Sequence, residues 1–99
     1  MTKKTILLVL LAAAATSIGA QPLPTPTREA RPGLRWWWLG SAVDKQNLTW
    51  NLDQYAKAGA GAVEITPIYG VQGNDKNDIP YLSPKWMDML RYTEAENNR

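Results

Sequence analysis

The residues of this chain whose types could do chemistry lie close together. Glu64 is the only acidic residue in a predicted strand, and Thr66 follows it two positions on. Alternation puts both on one face, the interior one away from the helices, because Val63 and Ile65 suit a helix-facing side. An acid on such a face, toward the C-terminal end of a strand, can hydrogen-bond a hydroxyl of a ligand. The same carboxylate can also be structural, held by an Arg or Lys of another strand, because a buried acid needs a partner. Trp36, Trp37 and Trp38 offer indole faces that would pack on the apolar face of a pyranose. Alternation sends Trp36 and Trp38 one way and Trp37 the other, so the three cannot line one subsite, and core filling is the ordinary use of such a run. Trp38, nearest the strand's C-terminal end, is the stacking candidate, and Tyr69 has a similar claim where the second strand meets its loop.

Asn74, Asp75, Asn77 and Asp78 are hard oxygen ligands by type, yet they lack the spacing and closing Glu of a calcium loop and read as a solvated turn. No metal site is assigned. The chain has no His and no Cys, which excludes imidazole and thiolate metal sites, disulfides and a Ser-His-Asp triad. It also has no phosphate loop or dinucleotide fingerprint.

The elements that must position these residues are legible from local signals. Trp36 to Leu39 is an unalternated run of strand formers, the pattern of a strand buried on both faces. Asp44 fits an N-cap, with Val43 before it able to staple onto Leu48. A helix follows to about Ala58, with Leu48, Leu52, Tyr55 and Ala56 on one stripe, Trp50 opposite, and Gly59 as the left-handed terminator. Ala62 to Tyr69 reads as the second strand. After a long polar loop, Ser83 and Pro84 begin a second helix as N-cap and first helical residue, with Leu82 set to staple onto Met87. Trp86, Met89, Leu90 and Thr93 share its face. Two strand and helix pairs in series predict parallel strands joined by a helical crossover.

Met1 to Ala20 has a basic start at Lys3 and Lys4, an apolar run from Ile6 to Ala15, and small residues at Ser17, Gly19 and Ala20. This is the pattern of a secretory signal peptide, and its apolar core is shorter than the ~20 residues of a spanning helix. Secretion, or release to the periplasm, is expected, with no membrane attachment after cleavage. Residues 21–34 form a linker carrying Pro22, Pro24, Pro26 and Pro32. Removing 20 of the 99 residues leaves 79, and without Lys3 and Lys4 nine basic residues face nine acidic ones. The mature chain therefore has no electrostatic footprint for nucleic acid, and 79 residues bury only a marginal core.

RPG at Arg31 to Gly33, WWWLGSAVDKQNL at Trp36 to Leu48, EITPIYGV at Glu64 to Val71 and LSPKWMDML at Leu82 to Leu90 together resemble the start of the catalytic barrel in glycoside hydrolase family 106, the α-L-rhamnosidase type. The resemblance implies an α/β fold, with residues 35–99 forming the first two βα units of an incomplete (β/α)8 barrel. A whole barrel takes about 250 residues. It further implies an exported, inverting enzyme that removes terminal α-L-rhamnose from polysaccharides or glycosides, a carbohydrate as partner, and calcium associated with the parent enzyme. Inverting hydrolysis uses two carboxyl groups about 6.5–9.5 Å apart. In that family the acid and base lie on later parts of the barrel, so both are expected beyond Arg99, and Glu64, Trp38 and Tyr69 are candidates only for the sugar-binding shell. The 99 residues alone are expected to be inactive. Two other readings stay open: a different barrel glycosidase of β-galactosidase type, and a non-enzymatic carbohydrate-binding or cell-envelope remnant of a barrel.

Overall fold

The computed structural model describes residues 2–6 and 19–99. The predicted signal peptide falls largely outside the described residues. Among those residues no helix is long and apolar enough to cross a membrane.

Strand β1 runs Gly33–Leu39, helix α1 Lys45–Lys57, strand β2 Ala62–Ile68 and helix α2 Pro84–Asn97. The two strands are parallel neighbours, with Arg35 opposite Glu64, Trp36 opposite Ile65 and Trp37 opposite Thr66. The chain crosses from one to the other through α1, since a tight turn cannot join parallel strands. Short 3-10 turns at Arg28–Ala30 and Asp75–Asn77 precede the strand pair and interrupt the loop after β2.

The end of the linker is tied to the sheet although its residues stay exposed. Gly61 N–H donates to the Pro32 carbonyl at 3.0 Å, and a Cβ at Gly61 would run into the Arg28 carbonyl and the Arg31 side chain. Residues 28–32 thus lie against the base of β2.

Both helices start, and α1 stops, as their sequences direct. Asp44 Oδ1 accepts the Asn47 backbone N–H at 2.9 Å and Ser83 Oγ accepts that of Trp86 at 3.3 Å, each satisfying an orphan donor of a first turn. At the end of α1, Gly59 takes φ +93°. Its N–H donates to Ala56 and that of Ala60 reaches back to Tyr55, both at 3.0 Å, which is the paired carbonyl capping of a Schellman turn. The expected Leu82 staple does not form. Leu82 adopts φ +60° and stays 59% exposed, while Ile79 is buried and the Tyr81 ring packs edge-on to Trp86 at 4.9 Å.

Between the sheet and the helices lies the core: Trp36, Trp38, Leu48, Leu52, Ile79, Trp86 and Met89. Its centre is a chain of edge-to-face rings, Tyr55 to Trp36 at 5.4 Å, Trp36 to Trp38 at 5.9 Å and Trp38 to Trp86 at 6.0 Å. Such pairs add about 0.5–1.5 kcal/mol each beyond the area they bury. Val63 and Ile65 pack on the same core, so the helix-facing side of β2 is the one its pattern predicts. Ala56, placed by periodicity on the buried stripe, is exposed at the rim. The helices are tied by Thr49, whose hydroxyl lies 2.7 Å from the Tyr92 hydroxyl and donates to Glu96 at 2.8 Å.

The opposite face of the sheet, carrying Arg35, Trp37, Leu39, Glu64, Thr66 and Ile68, has no layer over it among the described residues. The expectation of a first strand buried on both faces is therefore met on one face only. Trp36 and Trp38 are buried while Arg35, Trp37 and Leu39 are exposed.

Candidate functional site

The carboxyl ends of β1 and β2 are drawn together by one amide. Gly40 N–H is shared between the Ile68 carbonyl at 2.9 Å and the Tyr69 carbonyl at 3.1 Å. The long loop then folds back over the strand ends, where Ile79 N–H donates to the Gly40 carbonyl at 2.9 Å and the Ile79 side chain enters the core. Ser41, buried at the turn with φ +49°, accepts the Trp86 indole N–H at 2.9 Å, so α2 is anchored to the same corner.

These contacts leave an open cleft of about 730 Å³ over the strand ends, bordered by Gly40, Tyr69, Gly70, Asp78 and Tyr81. Tyr69 is 84% exposed and Tyr81 65%. Asp78 lines the same cleft, its carboxylate in contact with both glycines: a Cβ on Gly70 would lie 2.5 Å from Asp78 Oδ2, and one on Gly40 would clash with Oδ1. Oδ1 is buried and accepts no hydrogen bond.

Of the sequence candidates, Tyr69 lies at this cleft, as expected for a residue where β2 meets its loop. Trp38 does not. It is 1% exposed and packed between Trp36 and Trp86 on the helix-facing side, so it has no free ring face, and its assignment to sugar stacking is corrected to core packing. The exposed indole of the run is Trp37, because its odd position turns it to the open face.

Glu64 occupies the open face with Thr66, but it stands third of seven in β2, in the N-terminal half of the strand and not toward the C-terminal end. Its partner is already in the chain. Arg35 Nε donates to Glu64 Oε2 at 3.1 Å, between side chains 64% and 65% exposed.

The loop residues divide. Asn77 Nδ2 donates to Asn74 Oδ1 at 2.6 Å beside the 3-10 turn, and among the described residues no group of three or more acidic side chains could hold a metal ion. Asp78, just past that turn, enters the strand-end cleft, which Asp75 also lines. Sequence reasoning missed it by treating the loop as one solvated unit. The available signal was a pair of glycines, Gly40 directly after β1 and Gly70 two residues after the end of β2. No known family pattern, curated protein or solved structure matches this chain.

Proposed function

We propose that this chain carries the opening βα units of an exported glycoside hydrolase of the α-L-rhamnosidase type, acting on terminal α-L-rhamnose. The observation that carries the reading is the two-sidedness of the parallel pair. One face is sealed by α1 and α2, whereas the other is uncovered and bears Arg35, Glu64 and Thr66 beside Trp37. That arrangement suits a sector of a barrel wall, whose second face is covered by further strands. The resemblance of the four sequence segments supplies the substrate.

In this reading Tyr69 lies at the sugar-binding end, and Glu64 contributes to the binding shell through a carboxylate it shares with Arg35. The acid and base of the inverting reaction belong to other parts of the enzyme, and calcium, if the enzyme uses it, has no ligands assigned here. Export follows from the leader pattern of residues 1–20.

The experiment is hydrolysis of an aryl α-L-rhamnoside by the protein exported from its native host, with the product's anomeric configuration followed by NMR. Turnover with inversion is expected, together with an amino terminus near Gln21. Hydrolysis of aryl β-galactosides in place of rhamnosides would favour the other barrel glycosidase, and binding without turnover of any glycoside would favour the non-enzymatic remnant. An amino terminus at Met1 would overturn the export reading.

A further inference from the structure

The Asp78 carboxylate is unusual for what surrounds it. A buried carboxylate oxygen ordinarily accepts hydrogen bonds, because leaving it unpaired forfeits its hydration without return. Among the described residues Asp78 Oδ1 accepts none, and no side-chain hydrogen bond or ion pair involves Oδ2. Two glycines nevertheless make room for this group. Gly40 has φ +60°, which accounts for a glycine there on backbone grounds alone. Gly70 has no left-handed φ, and the close demand on it is space, since a Cβ would meet Asp78 Oδ2 at 2.5 Å. Among the described residues, the carboxylate at the meeting point of the two strand ends therefore has no hydrogen-bonding partner.

Strand carboxyl ends are where open parallel sheets and barrels receive ligands. The cleft there has Tyr69 and Tyr81 on its border, both largely exposed, and Asp75 also lines it, while among the described residues no Arg or Lys does. An acceptor without a cation, flanked by aromatic rings, matches a neutral ring that carries hydroxyl donors on its edge and C–H groups on its face.

We propose that Asp78, framed by Gly40 and Gly70 and flanked by Tyr69 and Tyr81, is the hydroxyl-accepting carboxylate of a monosaccharide-binding subsite at the strand ends. The proposal rests on the glycan-directed reading above and adds a residue and a place to it. Asp78 Oδ2 accepts from a ring hydroxyl, and Tyr69 covers the face of the same ring.

The test uses the protein exported by its native host, with L-rhamnose as competing ligand in the hydrolysis of an aryl α-L-rhamnoside. Asp78→Asn keeps the shape of the side chain and removes its charge. It is expected to raise both the KM and the inhibition constant of L-rhamnose by roughly tenfold to a hundredfold, the range of a hydrogen bond to a charged group, with a much smaller change in kcat. Tyr69→Ala, at a position too exposed to carry folding, is expected to raise the same constants. Unchanged constants in both variants would overturn the proposal. So would calorimetric calcium binding by the chelator-treated protein that disappears in Asp78→Asn, since the carboxylate would then serve an ion. If aryl α-L-rhamnosides are not hydrolysed at all, the functional reading fails separately. Ligand-observed NMR with L-rhamnose, D-galactose, D-glucose and D-mannose then decides the subsite: binding sensitive to Asp78→Asn supports it, and binding of none overturns it.

Discussion

Arg35 and Glu64 are register partners across the parallel pair and meet at 3.1 Å on the uncovered face of the sheet. An exposed ion pair of this kind contributes about 0–1 kcal/mol, so its importance lies in occupying the Glu64 carboxylate.

A carboxylate already held by a guanidinium has less to give a sugar hydroxyl. Glu64→Gln in the exported enzyme is therefore expected to slow turnover of an aryl α-L-rhamnoside by about tenfold or less, the low end for a hydrogen bond to a charged group. The rate with and without added azide measures this. Near-complete loss that azide rescues would make Glu64 catalytic.

Trp38 is expected to be a stability residue. Trp38→Ala removes the ring at the middle of the aromatic chain and should cost about 3–5 kcal/mol, read from the urea midpoint of the exported protein. A stacking residue would behave differently, with KM rising and the midpoint unmoved.

Asp44 carries a pH dependence that can be isolated. Its carboxyl lies below the usual range because the Asn47 backbone N–H, and then the Asn47 side chain, stabilise the charged form. A depressed folded pKa means that the contribution is complete above the unfolded value of about 3.9 and is lost as pH falls through the folded one. Asp44→Ala should cost about 1 kcal/mol at neutral pH, and that difference should shrink in acid. Asp44→Asn, which also caps but does not titrate, should show no such narrowing against Asp44→Ala. A cost for Asp44→Ala that stays constant down to pH 2 would contradict the cap as its source.

Expressed alone, residues 21–99 should lack cooperative unfolding and tend to aggregate. A parallel pair with one bare face and open edges exposes apolar surface and unpaired backbone together. A sharp thermal transition in the purified monomer, by circular dichroism, would refute this.

The helices were legible because their signals are local. Asp44, Gly59, Ser83 and Pro84 act within one turn of chain, and each does what its type predicts. The face of β2 was legible too, since Val63 and Ile65 alternate with Glu64 and Thr66. The face of β1 was not, because three consecutive tryptophans carry no alternation. Their orientation is fixed by pairing Trp36 with Ile65, a contact set by register across 29 residues. Leu82 was misread for a related reason: its staple presumes ordinary entry into a helix, and the left-handed turn at Leu82 redirects the chain. Asp78 depended on the loop returning to Gly40, which no spacing along the chain announces.

The ring chain from Tyr55 through Trp36 and Trp38 to Trp86 and Tyr81 also gives the fold an optical identity. Edge-to-face indoles at these separations couple their electronic transitions, so the packed core should show near-ultraviolet dichroism that vanishes when the side chains loosen, even while helical signal persists. Trp37 and Trp50, each 59% exposed, stand outside that array. A polar quencher such as iodide can therefore reach Trp50, and Trp37 only while its sheet face is bare, leaving the buried three as an internal gauge of whether the strand pair has docked onto its helices.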